Sequence, residues 1–165
     1  MKLYLIRHAS ADTRGIQYPD DSKRPLIEKG FLQAETLRNF LNTTGISFDK
    51  LCSSPYLRAT QTALALQNIS KTKMVLTKNL LTSDYASLIE ELKSYPKSSN
   101  IALVGHEPLM SGLASYLLNG REFQVNIKFK KAAVMTLEGN LEKYFSLLNF
   151  ISYKEYKVLC PINKN

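Results

Sequence analysis

The sequence begins MKLYLIRHAS (Met1–Ser10), an apolar run that ends abruptly at the adjacent residues Arg7 and His8. Five of the first six residues are apolar, which is typical of a buried strand. The chain has two histidines, and the second, His106, also follows a short apolar run, in NIALVGHEPLM. We therefore expect both histidines to lie at the ends of buried strands.

Runs of strand length alternate with helical patterns along the chain. The strand-like runs cover 2–7, 47–52, 73–77, 100–105, 132–137 and 143–150, and the helical patterns cover 27–43, 55–68, 85–95 and 108–119. This alternation predicts an α/β protein with one domain over 1–165, in which helices flank a mostly parallel central sheet of about six strands in three α/β/α layers. On the first helix, the spacing predicts that Phe31, Ala34, Leu37 and Leu41 share one face.

The bulk composition narrows the possible classes of protein. The 165 residues are 44% hydrophobic and 22% charged, as in ordinary folded domains. No run approaches the roughly 18 apolar residues of a membrane span, and the first residues do not resemble a secretion signal, so we expect a cytoplasmic protein without membrane association. The two cysteines, Cys52 and Cys160, are too few for a disulfide framework and predict reduced thiols.

The net charge of +8 suggests an anionic partner. Such a partner could be a phosphate group, a nucleic acid or an acidic protein. Because the lysines are scattered and no nucleic-acid motif is present, we expect no nucleic acid. Two histidines far apart in sequence, without a nearby group of cysteines or carboxylates, do not form a zinc site. We expect no metal and no other cofactor.

Three polar segments follow predicted strands. Arg7 and His8 end the first, SSPYLRATQT with Arg58 follows the run 47–52, and His106 ends the run 100–105. Because ligands bind at the carboxyl ends of parallel strands, we expect these segments to converge. The long polar loop 10–25 is of a length that is usually functional.

The residue types in these segments suit phosphate chemistry. Arg7 and Arg58 carry planar, permanently charged groups that suit bidentate phosphate contacts. Helices begin after Ser54 and after His106, and helix N-termini favour anions. A neutral imidazole is a competent nucleophile toward phosphorus, and neighbouring cations favour its neutral form. The pattern predicts phosphoryl transfer through a covalent phosphohistidine.

Four segments resemble the histidine phosphatase superfamily. LYLIRHASA, LCSSPYLRATQTA and ALVGHEPLM are similar to its three signatures, and DDSKRPLIEKG is similar to a segment of its small SixA-like branch, whose members are phosphohistidine phosphatases. The similarity runs in order from position 2 to about 137. It implies a phosphoglycerate mutase-like fold without cap insertions, because the stretch between residues 68 and 85 is too short to hold one.

The resemblance also implies roles for individual residues. His8 becomes the nucleophile, Arg7 and Arg58 hold the phosphoryl oxygens, and His106 completes the pocket. Ala9 stands where glycine is commoner in the family, although alanine is usual in the SixA-like branch. Ile27 stands where threonine is frequent, so no phosphate contact is expected there.

Three further assignments stay open at this stage. Glu107 matches the position of the proton donor in the acid-phosphatase branch, and Asp84 lies near where mutase-like members place their acid; either one could instead be a solvated carboxylate. Arg24 either contacts the substrate or anchors the long loop. Ser53 and Ser54 are interpreted as helix caps rather than catalytic residues.

The leading hypothesis is a metal-independent phosphohistidine phosphatase that acts as a monomer on a phosphorelay or phosphotransferase protein. One alternative is a phosphomonoesterase that uses the same site on a small phosphorylated metabolite. The other is a non-catalytic phosphate-binding module, which would require the loss of a residue such as His8, and His8 is present.

Overall fold

The computed structural model describes residues 1–160 of the chain, which form six strands and five α-helices. The strands are β1 (Lys2–Arg7), β2 (Lys50–Ser53), β3 (Val75–Leu76), β4 (Asn100–Gly105), β5 (Val134–Gly139) and β6 (Phe145–Ile151). The helices are α1 (Glu28–Thr43), α2 (Leu57–Ala65), α3 (Tyr85–Lys93), α4 (Leu109–Asn119) and α5 (Tyr153–Leu159).

The six strands form one sheet in the order β3-β2-β4-β1-β5-β6. The first four strands in this order run parallel, whereas β5 is antiparallel to both β1 and β6. The pairing of Arg7 with Gly105, and of Ser53 with Val104, brings the carboxyl ends of β1, β2 and β4 to the same edge. The segments that follow these strands therefore emerge side by side.

Alternate residues of β1 face opposite layers of the molecule. Leu3 and Leu5 pack with buried residues of α3 and α4. Tyr4 and Ile6 pack with buried residues of α1, α2 and α5. This period of two, characteristic of a strand covered on both faces, confirms the predicted α/β/α layering.

The helices depart from the sequence prediction at the start of α2 and on the buried face of α1. The predicted helix 55–68 begins later, at Leu57, and Ser54 does not cap it as predicted: its hydroxyl contacts Nε2 of His106 and accepts from the backbone N–H of Tyr56. Phe31 was placed on the core face of α1, but its side chain is exposed; buried polar Gln33 and Thr36 occupy part of that face. Helix α4 ends at Asn119, as the pattern 108–119 predicted, and the following Gly120 adopts a left-handed conformation (φ 80°).

No helix within residues 1–160 combines the length and apolar character that crossing a bilayer requires.

Candidate active site

His8 follows β1 and its side chain is only 3% exposed. Its backbone N–H donates to the carbonyl oxygen of Gly105 on β4 at 2.9 Å, which fixes the residue at the sheet edge. Nδ1 lies 2.7 Å from the carbonyl oxygen of Ala9. Because a carbonyl oxygen can only accept, Nδ1 carries the proton and Nε2 keeps a free lone pair.

His106 lies beside His8, with 5.0 Å between the ring centroids. Its Nε2 is 2.7 Å from the Ser54 hydroxyl, and its ring packs against Tyr56 at 5.1 Å. The structure thus brings the two histidines together at the carboxyl ends of β1 and β4. Ser54 and Tyr56, from the segment after β2, hold the second ring, and this role of Ser54 was missed in the sequence.

Arg7 reaches from the end of β1 across the segment that precedes β5. Its Nη1 donates to the carbonyl oxygen of Phe129 at 2.6 Å. Burial lowers the pKa of the guanidinium, and the nearby Glu107 carboxylate opposes that effect. Arg7 is therefore held by the segment before β5 and lies within the electrostatic influence of Glu107.

Arg58 is held by the long loop before α1. Its Nη1 and Nη2 donate to the backbone oxygen of Asp21 at 2.7 Å and to its carboxylate at 2.9 Å. The same carboxylate accepts from Nε of Arg24 at 2.9 Å, and Arg24 Nη1 donates to the backbone oxygen of Asp12. Partial burial alone would raise the pKa of Asp21, but the two arginines outweigh it and lower that pKa. Arg24 thus anchors the loop, and the Asp21 carboxylate bridges Arg24 and Arg58.

Lys131 is a site residue that the sequence analysis missed. Its Nζ lies 3.2 Å from Nε2 of His8. In the sequence it belongs to a run with Lys128 and Lys130 and carries no motif. The pairing of Val134 with Ile6 on the antiparallel strands β5 and β1 places the residues before β5 next to His8. Only the pairing of β5 with β1 places Lys131 in the site, and the local sequence around Lys131 does not indicate this pairing.

The electrostatics of the site keep both imidazoles neutral. Burial is the largest cause and lowers the pKa of His8 to about 2, with Lys131 and His106 adding to the effect. Burial, followed by Arg58 and Lys131, lowers the pKa of His106 to about 3. At neutral pH Nε2 of His8 is therefore unprotonated and keeps its lone pair.

The two carboxylates proposed as acids lie in different settings. The Glu107 carboxylate accepts a short hydrogen bond from the Ser111 hydroxyl through Oε2. Asp84 is the N-cap of α3, and its exposed carboxylate accepts from the backbone and hydroxyl of Ser87 at 3.1 and 2.6 Å. Those hydrogen bonds lower the pKa of Asp84. Glu107 adjoins the histidine pair, whereas the contacts of Asp84 tie it to its own helix.

Several buried polar atoms around the histidines have no hydrogen-bond partner among residues 1–160. They are Nε of Arg7, Nε of Arg58, Nδ1 of His106 and Oε1 of Glu107. Three are nitrogens, and the two guanidinium groups carry a positive charge that suits an oxyanion. Over the same residues, no three His, Cys, Asp or Glu side chains lie close enough together to hold a metal ion.

Comparison with known proteins identifies the family of the chain that carries this site. The chain belongs to the histidine phosphatase superfamily, branch 1, whose family model matches residues 3–88. A protein of Picosynechococcus sp. described as uncharacterised is 30% identical over 142 residues, which cover 83% of this chain and 84% of the relative.

Solved structures confirm the phosphoglycerate mutase-like fold. The protein histidine phosphatase SixA, complexed with tungstate, matches with a TM-score of 0.75 at 21% identity, over 93% of this chain and 98% of that chain. The alpha-ribazole phosphatase of Shigella flexneri matches with a TM-score of 0.73 at 19% identity, over 93% and 97% of the two chains. At these identities the likeness establishes the fold.

Proposed function

We propose that this protein is a metal-independent phosphohistidine phosphatase. It takes the phosphoryl group from a phosphohistidine on a signalling or phosphotransferase protein, holds it covalently on His8 and transfers it to water. The observation that carries the proposal is the hydrogen bond from Nδ1 of His8 to Ala9, which leaves Nε2 unprotonated, with its lone pair facing a cluster of cations. The proposal treats the whole chain as one phosphatase domain that acts as a monomer, and its cytoplasmic location stays a prediction.

The first step exchanges one phosphorus–nitrogen bond for another. The Nε2 lone pair of His8 attacks phosphorus while the bond to the substrate imidazole breaks. A substrate ring protonated on its other nitrogen then leaves as a neutral imidazole. The imidazole ring of phosphorylated His8 is positively charged, because Nε2 now carries the phosphoryl group while Nδ1 keeps the proton that it donates to Ala9. The dianionic phosphoryl group lies against Arg7 and Arg58, which match the charge that its oxygens carry.

The second step returns His8 to its starting state. Water attacks phosphorus, the bond to Nε2 breaks, and His8 leaves as a neutral imidazole with its proton still on Nδ1. Both protons of the water remain with the product, which departs as dihydrogen phosphate. Neither step requires a carboxylic acid, so the reaction agrees with a site whose candidate acids are engaged by serine hydroxyls.

The nature of the leaving group favours phosphohistidine over an alkyl phosphate ester. An alkoxide needs a proton from an acid as it departs. The lowered pKa of Asp84 keeps its carboxylate ionised at neutral pH, so it is a poor proton donor. A protonated phosphohistidine needs no such donor.

One observation favours a second candidate function, a phosphomonoesterase that acts on a small metabolite. Oε1 of Glu107 is buried and has no partner among residues 1–160, next to His106. A proton held there could be donated to a departing alkoxide.

Turnover on a panel of substrates tests the proposal. A protein carrying phosphohistidine, an aryl phosphate and an alkyl phosphate are compared by kcat/KM with a metal chelator present. We expect the phosphohistidine protein to exceed the alkyl phosphate by at least about 100-fold, because its leaving group needs no acid. A higher kcat/KM for the alkyl phosphate would establish the second function. Activity that the chelator abolishes and an added metal restores would contradict metal independence.

A further inference from the structure

Lys131 contacts the reactive nitrogen of the proposed nucleophile. Its Nζ lies 3.2 Å from Nε2 of His8, on the side of the ring opposite the hydrogen bond to Ala9. Since Nδ1 holds the ring proton, the ammonium donates to the same lone pair that would attack phosphorus. No salt bridge within residues 1–160 involves Lys131, so its charge is not committed to a carboxylate of that part of the chain.

The backbone around Lys131 is tied directly to Arg7 and His8. The N–H of Ala132 lies within hydrogen-bond distance of the carbonyl oxygens of Arg7 (3.1 Å) and His8 (3.3 Å). Ala132 has a φ of 57°, a left-handed conformation that costs a non-glycine residue about 1 kcal/mol. The buried hydroxyl of Tyr156 on α5 donates to the carbonyl oxygen of Ala132 at 2.8 Å. The fold therefore holds Lys131 in this place through main-chain contacts.

We propose that Lys131 is a catalytic residue: its ammonium occupies the lone pair of His8 in the free protein and binds the phosphoryl oxygens once the substrate arrives. This inference rests on the proposed function. Nζ stands where phosphorus must come, since reacting atoms approach within about 3–3.5 Å before bond formation. The flexible Lys131 side chain can rotate away from Nε2 of His8 when the substrate binds. Its ammonium then contacts the anionic phosphoryl group.

When the Lys131 ammonium moves from His8 to the phosphoryl oxygens, its positive charge is paired with the negative charge of the substrate. In the free protein the Lys131 ammonium lies among other cations, with one carboxylate nearby. The groups that interact with its charge are Arg7, Arg24, Arg58, Asp21, His8 and His106. Burial, and then the three arginines, lower the pKa of Lys131 to about 8. A bound phosphoryl dianion would reverse this effect and stabilise the ammonium. The Lys131 ammonium therefore has more favourable electrostatic interactions in the substrate complex than in the free protein. This difference is what allows it to stabilise the bound state.

The lowered pKa gives the proposal a pH signature. Below about pH 8 the free protein carries the Lys131 ammonium, and above it the amine is neutral. Because kcat/KM reports ionisations of the free enzyme, it should fall on the alkaline side of that value. The pKa values of His8 and His106, about 2 and 3, keep both rings neutral through this range.

The test compares Lys131→Met and Lys131→Arg with Lys130→Met, a matched control that removes the same charge from an exposed neighbour. The kcat/KM for an aryl phosphate is measured from about pH 6 to about pH 10. We expect Lys131→Met to lose about 100-fold at neutral pH and to lack the alkaline fall. Lys131→Arg should keep more activity and stay active to higher pH, because arginine does not deprotonate there. Lys130→Met should match the native protein.

Binding of tungstate, used as a phosphate-like oxyanion, separates this inference from the proposed function. Calorimetry should show about tenfold weaker tungstate binding for Lys131→Met and native binding for Lys130→Met, whether or not the protein turns over any substrate. Thermal melts confirm that each variant folds. Native kcat/KM, a native pH profile and native tungstate affinity in folded Lys131→Met would overturn the role of Lys131. An inactive native protein would instead refute the proposed function.

Discussion

At the scale of single residues, the position of one proton determines what His8 can do. The carbonyl oxygen of Ala9 holds that proton on Nδ1, so Nε2 keeps its lone pair. In the proposed reaction Nε2 attacks phosphorus, and the proton on Nδ1 lets the phosphorylated ring leave as a neutral imidazole. Arg58 lies in the first turn of α2, where a cation opposes the helix dipole. The Asp21 carboxylate at 2.9 Å offsets that cost in the free protein, and a phosphoryl group can offset it further.

The two candidate acids can be distinguished by the leaving group. Glu107→Gln and Asp84→Asn are assayed on an alkyl phosphate, an aryl phosphate and a phosphohistidine protein. A residue that protonates the departing atom should cause a loss that is large on the alkyl substrate, about 100-fold or more, and small on the other two. We expect a weak graded effect for Glu107→Gln and a smaller one for Asp84→Asn, whose carboxylate caps α3.

An equal loss on all three substrates would assign the residue to phosphate positioning or to the fold. A steep graded loss for Asp84→Asn would contradict the interpretation of Asp84 as a helix cap. If Glu107→Gln shows the steep pattern, the phosphomonoesterase function gains support.

At the scale of elements, α5 supports the site through the segment that precedes β5. Tyr156 is fully buried and packs against Phe40 of α1 at 5.5 Å, while its hydroxyl bonds to Ala132. Through Ala132, the helix is linked to the backbone of Arg7 and His8 and to the position of Lys131. This connection predicts that a change on α5 affects both stability and activity.

Replacing Tyr156 with Phe removes that hydroxyl and leaves the carbonyl oxygen of Ala132 without its side-chain donor. The free energy of unfolding should fall by about 1–2 kcal/mol in denaturant melts. The kcat/KM for an aryl phosphate should fall by about tenfold, since small displacements of catalytic groups are costly. Tyr153→Phe, on the same helix, is the control and should change neither. Native activity in Tyr156→Phe would show that α5 does not position Lys131.

The sequence predicted the larger elements better than the smaller ones. Strands β1 and β4 and helix α1 match their patterns closely, because long apolar periodicities are the strongest local signal. Helix α5 was not predicted, although Ser152 and Glu155 have capping-box spacing and the backbone N–H of Ser152 donates to the Glu155 carboxylate. The prediction that Phe31 faces the core was wrong: its side chain is exposed, and polar Gln33 is buried instead, where its side-chain oxygen accepts from the backbone N–H of Ser10.

At the scale of the whole molecule, the site exists because distant segments meet at one sheet edge. His8, Arg58 and His106 follow β1, β2 and β4, and parallel pairing brings these three strand ends together. The motif spacing made this convergence predictable. Lys131 and Asp21 were not predictable in the same way, since one arrives through an antiparallel strand pair and the other through the path of a long loop.

The central claim is that His8 carries the phosphoryl group during turnover, and acid-free rapid quenching followed by mass spectrometry of peptides tests it directly. The account predicts a single phosphoryl group on His8 of the native protein while a phosphohistidine protein or aryl phosphate is being consumed. In folded His8→Ala no adduct should form and turnover should fall by several orders of magnitude, because no neighbour can form that bond. Turnover by His8→Ala at a native rate, or a phosphoryl group found on another residue, would contradict the account.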